Sequence, residues 1–427
     1  MPSKICKPNL CRVLIAGIIA MPFISGIVTE MFDLPVALLF YADLSWAVLT
    51  LLILKDYRRM FQWNHEQKIL LFVTMAFLLS TFVGLILQYQ SILYYLWGIR
   101  NNVGFFVFFY ACILYLRKGD ISKIWRIFDG IFWLNFVVTL FQFFILGYEQ
   151  DYLGGIFGVI GGCNRSTNVF LVVVTVHSML AYLNEEEKTY YFLLKCASAL
   201  LIAAMAELKM YILEFGVITI LALLFAKNSR RKLYLVVTAF VAIFLGIQIL
   251  TWIFPGWSGW FRPSKILQTA LDSSGYNGSG VEVNRLTAIP IAWNTYLTTW
   301  PQKLFGLGLG HCDFSSFSFL TTPFYLENAN ILYTWFYSGF LMLETGLVGV
   351  VLYCAFFAAV FFCSWRVERK TDADKTTCQT AKIMSLICLL MFVYDSSMRS
   401  YIAFVAFLVL ALPFVQSDSR QECSSQL

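Results

Sequence analysis

Long apolar stretches separated by short polar connectors repeat along this chain, with one interruption. Twelve of them fall near 12–29, 34–54, 69–88, 103–116, 125–147, 168–183, 190–206, 210–226, 233–254, 343–363, 382–396 and 401–416. A helix needs about 17–25 apolar residues to cross the hydrocarbon core of a bilayer. The fourth, sixth and last stretches are shorter, as suits helices buried by neighbours or extended by polar turns. The dyad alternation of a membrane barrel is absent. The pattern predicts an all-α membrane protein of about 12 transmembrane helices, with one large extracytoplasmic loop between spans 9 and 10.

That loop, Phe254–Trp335, is the only long polar interval. It holds Arg262, Lys265, Asp272, Glu282, Arg285, His311, Asp313 and Glu327, and the turn-rich run Gly306, Gly308, Gly310. The expected organisation is therefore helices 1–9 over 1–254, a loop with short amphipathic helices over 255–335, helices 10–12 over 336–416, and a tail over 417–427.

Composition agrees with the pattern. The chain of 427 residues is 59% hydrophobic and only 13% charged, against about a quarter charged in soluble domains. Its net charge of +6 suggests nucleic acid until the basic residues are placed. Of the 31 Lys and Arg, 22 fall in alternate connectors beginning with the N-terminus and 8 in the opposite set. Under the positive-inside rule both termini are cytoplasmic and the large loop faces outward, so topology accounts for the charge without nucleic acid. The charged start at Lys4, Lys7 and Arg12 resembles a signal peptide but has no small-residue cleavage site, and reads as an uncleaved first helix. The 11 cysteines include no C-x-x-C pair. Only Cys163 and Cys312 fall in polar segments on one face, where they could form a disulfide.

Charges at the membrane boundary are costly, and each is a functional candidate. Glu207-Leu208-Lys209 lies between two apolar runs with almost no loop. It is either a solvated tight turn or a place where Lys209 enters a cavity and holds an anion. Arg285 precedes Ile289, Ala292, Trp293, Tyr296 and Leu297, whose spacing predicts a surface helix. Its guanidinium suits bidentate phosphate binding, or it is a surface arginine against lipid headgroups. Arg165 closes the glycine-rich run 154–165. That run could offer backbone amides to an anion at a helix N-terminus, or be a flexible outer loop. His311, the only histidine on the outward side, could act as a general base. Asp395 and Arg399, spaced i, i+4, read as a structural ion pair or as part of the cavity rim. No Walker sequence, haem-attachment motif or acidic metal cluster is present, so no cofactor or metal is expected and the energy for a reaction must come with the substrate.

With these residues in place the chain resembles the O-antigen ligase and O-antigen polymerase superfamily of bacterial inner-membrane proteins. The resemblance covers the architecture throughout. Its specific part runs from Asn284-Arg285, through Phe305-Gly306-Leu307-Gly308, to Glu344-Thr345-Gly346-Leu347-Val348-Gly349. It implies metal-independent, inverting glycosyl transfer from an undecaprenyl-diphosphate-linked oligosaccharide, with a flippase and a chain-length regulator as pathway partners. Carried over by position, Arg285 and Lys209 become ligands of the diphosphate, with Arg165 a further candidate. The base is one of Glu282, His311 and Glu344, and Glu344 has the alternative role of orienting the re-entering helix. Ligases carry a histidine about nine residues before the Glu of Glu-x-Gly, where this chain has Trp335, which favours a polymerase over transfer to a lipid or protein acceptor. A transporter or flippase of a lipid-linked glycan is the reading from another class. It would show repeated halves and charges at mid-membrane depth.

Overall fold

The computed structural model describes residues 7–32, 35, 40–226, 230–257, 283–370 and 374–415, with isolated positions between 258 and 282. Its regular elements are all helical. The principal helices are α1 (Lys7–Gly26), α2 (Phe40–Lys55), α3 (His65–Leu87), α4 (Ile92–Tyr115), α5 (Lys118–Phe144) and α6 (Asn164–Leu183). They continue as α7 (Thr189–Met205), α8 (Lys209–Phe225), α9 (Arg231–Ile253), α10 (Tyr337–Lys370), α11 (Lys375–Tyr394) and α12 (Ala403–Ala411).

A helix lies in each of the twelve apolar stretches, but among the described residues 8 are long and apolar enough to cross a membrane. The other four are α2, α7, α8 and α12, of 16, 17, 17 and 9 residues. Burial separates centre from rim. The apolar windows of α6 and α11 are 89% and 78% buried in protein, whereas that of α9 is 22% buried. The outward faces of the rim helices carry Phe72, Leu79, Leu224 and Phe240, all strongly exposed. A continuous apolar exterior of this kind has no aqueous solution and suits lipid.

Several helices begin earlier than the apolar pattern predicts, because polar residues at their ends find partners. α4 takes in Arg100, Asn101 and Asn102. Arg100 makes two bonds to Asp43 (2.6 and 2.8 Å), Asn101 donates to Asp313 (2.6 Å), and Asn102 reaches Glu344 (3.4 Å). α11 begins at Lys375, ahead of the predicted 382, and Glu368 of α10 meets the Lys382 ammonium at 2.5 Å.

The glycine turn and the Glu-x-Gly segment form one interlocked feature. Thr299 and Gln302 make a capping box that starts the short helix Trp300–Phe305, and Gly306 at φ +76° ends it. α10 is broken at Gly346, whose φ of +62° is non-helical. The carbonyls freed at that break are taken by the turn: Leu307 N donates to Leu343 O (2.8 Å) and Gly308 N to Glu344 O (3.1 Å). The backbones approach so closely that a Cβ on Gly306 would overlap the Glu344 carbonyl, and one on Gly346 would lie 2.5 Å from Gly306 N. Gly306→Ala and Gly346→Ala are therefore each expected to cost on the order of 3 kcal/mol, from strained backbone plus overlap. Gly130→Ala in α5, where a Cβ meets nothing within 4 Å, is the control expected to hold the melting temperature or raise it. Thermal unfolding of the purified protein in detergent checks all three.

Candidate functional site

The three predicted diphosphate ligands come from three separate segments and line one cavity of about 680 Å³. Arg165 is in the first turn of α6, Lys209 begins α8, and Arg285 stands before the short helix Ala288–Ile291. Asp151, Glu207, Asp395, Trp335 and Tyr394 complete the polar and aromatic wall.

Local structure holds each cation in place. Arg165 Nε donates to Gly162 O (3.0 Å), and its Nη1 donates to Ser396 Oγ (2.6 Å). The guanidinium of Arg285 lies over Tyr394, 4.5 Å from the ring centroid, and 5.7 Å from that of Phe336. Glu207 adopts a left-handed conformation, φ +55°, which makes the α7–α8 connection one tight turn. Lys209 pairs across that turn with Glu207 at 2.5 Å. Asn164 joins the walls, donating to Asp151 Oδ1 (3.0 Å) and to Ala206 O (3.1 Å).

The glycine-rich run behaves as neither sequence reading expects. Leu153–Phe157 is buried, so the segment is not a loose outer loop. Its amides are also taken within the protein: Gly155 N donates to Gln142, Ile156 N to Asn135, and Val159 N and Ile160 N to Glu30. None of these four amides is left for an anion, and what this run contributes to the cavity is its arginine. The disulfide that these positions allowed is also absent: Cys163 and Cys312 are free, and Cys163 donates instead to Asp151 O at 3.3 Å.

The three candidate bases lie elsewhere. Glu282 falls outside the described residues. His311 follows the glycine turn and is half-buried, which lowers its imidazole pKa, and it does not line the cavity. Glu344 is completely buried. Its carboxylate accepts from Cys312 N (3.2 Å) and Asn102 Nδ2 (3.4 Å), and Tyr337 OH donates to Asn102 (3.0 Å). These contacts fasten the glycine turn to the broken helix, the orienting alternative for Glu344.

The expected Asp395–Arg399 pair is not formed. Arg399 pairs with Asp313 of the large loop instead. Asp395, the first residue beyond α11, accepts from Ser397 N at 2.8 Å and faces the cavity. Burial pushes its carboxyl pKa up, and Arg165 and Arg285 act in the opposite direction. The i, i+4 spacing misleads because α11 stops at Tyr394 and the backbone turns away before Arg399. A second carboxylate, Glu214 in α8, is buried and accepts from Asn168 at 2.9 Å. A lone acid in an apolar run is the signal for it, and Asn168 lines the cavity above.

A second cavity, of about 570 Å³, adjoins the first and shares Gly162, Arg165 and Trp335 with it. Its walls combine aromatic and hydroxyl groups, among them Trp97, Phe314 and Ser315, with the charged side chains of Arg100, Asp313 and Arg399. A third, of about 690 Å³, lies at the opposite ends of α6 and α11 around Lys195, which pairs with Asp129 (2.7 Å) and Glu187 (3.3 Å). Between the two ends α6 buries Val169 through Val173 completely. Among the described residues no three His, Cys, Asp or Glu side chains come together as a metal-binding group.

The first cavity therefore brings three cations and three carboxylates together at one end of the bundle. Its formal charges cancel, so an entering anion must displace Glu207 from Lys209 or share it. The arginines offer planar donors in addition. No protein-family model matches the chain, and comparison with curated proteins finds no match.

Proposed function

We propose that this protein polymerises oligosaccharide repeat units carried on undecaprenyl diphosphate, at the outer face of a bacterial inner membrane. In this reading twelve helices span the bilayer, both termini are cytoplasmic, and the large loop closes the outer end. Lys209, Arg285 and Arg165 grip the diphosphate and stabilise the charge that develops as the anomeric bond breaks. The reaction is an inverting glycosyl transfer driven by loss of the lipid diphosphate. The flippase and chain-length regulator of the same pathway are its partners.

One observation carries the reading: cations from three segments distant in sequence line a single cavity. Trp335, which stands where ligases have a histidine, lines this cavity and favours polymerisation over ligation. The decisive experiment reconstitutes the purified protein in liposomes with lipid-linked repeat units, with and without a lipid A-core acceptor. Elongated product from the donor alone is the expected result. Product only with the core acceptor would establish a ligase, and no product under either condition would remove the glycosyl-transfer reading.

A further inference from the structure

The transfer proposed above needs a group to take the proton from the attacking sugar hydroxyl, and a place for that sugar to arrive. We infer that Asp395, which lines the diphosphate cavity one residue before Ser396 of the adjoining cavity, is that proton acceptor, and that the cavity of about 570 Å³ holds the acceptor glycan. The inference rests on the glycosyl-transfer reading and adds to it the acceptor's position and the base.

Elimination among the nearby carboxylates supports the assignment. Glu207 is committed to Lys209 at 2.5 Å. Asp151 accepts from Asn164 at 3.0 Å, and neither of its chain neighbours lines the second cavity. Asp313 lines the second but is enclosed by Arg399, Asn101 Nδ2 (2.6 Å) and Phe314 N (2.8 Å). Asp395 faces the diphosphate cavity, and the next residue, Ser396, lines the other one and holds Arg165 at 2.6 Å. A hydroxyl entering from the second cavity thus meets a carboxylate beside the cations that hold the leaving group.

The second cavity has the chemistry of a sugar site. Trp97, Trp335 and Phe314 provide apolar faces for the C–H side of a pyranose, and Ser315, Ser396 and Ser400 provide hydroxyls for its edge. In the step itself the acceptor oxygen forms a bond to the anomeric carbon and its proton passes to the Asp395 carboxylate. The anomeric C–O bond breaks, and its electron pair leaves on the lipid diphosphate.

The test uses the full protein in liposomes with lipid-linked repeat units as donor. Asp395→Asn can still accept from Ser397 N, so the turn is preserved. It is expected to lower the turnover rate by about a hundredfold or more, the usual range for a lost general base, with donor affinity within threefold of wild type. Asp395→Glu should recover part of the rate. Phe314→Ala, at a residue that lines only the second of the two cavities, should raise the KM for the acceptor about tenfold at unchanged donor affinity, which tests the acceptor cavity by a second route. Asp395→Asn turning over at more than a third of the wild-type rate would overturn the assignment of the base, and an unmoved acceptor KM in Phe314→Ala would overturn that of the cavity. A wild-type protein with no polymerising activity would instead remove the reading on which both rest.

Discussion

Arg285→Ala and Lys209→Ala are each expected to abolish long polymer in a surface-polysaccharide ladder while the amount of protein in the membrane holds. In the reconstituted reaction each should lower the rate by about 10²–10³-fold, the usual loss when one donor to a developing anion is removed. Arg285 is pre-oriented, since its guanidinium rests on the Tyr394 ring at 4.5 Å and needs little reorganisation to meet an oxyanion. Arg285→Lys should fall between wild type and alanine, because an ammonium keeps the charge and loses the bidentate fork. Lys209→Ala has a complication that the geometry exposes: it strands Glu207, whose side chain is only 11% accessible. The double variant Glu207→Gln, Lys209→Ala separates the two effects. If the loss comes from the missing cation, the double variant stays inactive; if it comes from the stranded carboxylate, activity returns. Wild-type ladders from both single variants would exclude the diphosphate grip.

How much of this was legible beforehand depended on whether the signal was local. The apolar runs are local: the hydrophobic cost of each stretch is written in its own residues, and a helix lies in every one. Their ends are not, because Arg100 extends α4 only once Asp43 is beside it, and α11 begins at Lys375, ahead of the predicted 382, with Glu368 facing Lys382. The same division holds for the site. Arg165, Lys209 and Arg285 stood out because boundary charge is expensive anywhere. For Asp395 the spacing gives a cavity-rim position but the wrong partner, since i, i+4 pairs side chains only while the helix continues, and this one ends at Tyr394. Glu344 reads from the sequence as a base or as an anchor, and the turn at Gly306–Gly310 folding onto it supplies anchoring contacts. No single-residue signal carries that long-range approach of two backbones.

Arg399→Leu is expected to be among the most destabilising single changes in the protein. Asp313 is 1% exposed and Arg399 pairs with it, while the guanidinium also lies 3.7 Å from the centroid of Phe340. The pair ties the large loop to the connection between α11 and α12. Without the arginine, Asp313 keeps Asn101 and the Phe314 amide but loses its counter-ion while almost fully buried. Breaking a buried pair from one side costs about 3–5 kcal/mol, which should show as a large fall in melting temperature in detergent. The value of the pair itself is a different quantity, because both charges gave up their hydration when the protein folded. Replacing both, as Asp313→Asn with Arg399→Leu, should therefore recover most of the loss in stability, and a double-mutant cycle reads the recovery directly. If Arg399→Leu melts like wild type, the remaining contacts, those of Glu344 and Asn101 among them, suffice to hold the loop. The ion pair would then be a passenger on a fold fixed by the interlocked glycine turn.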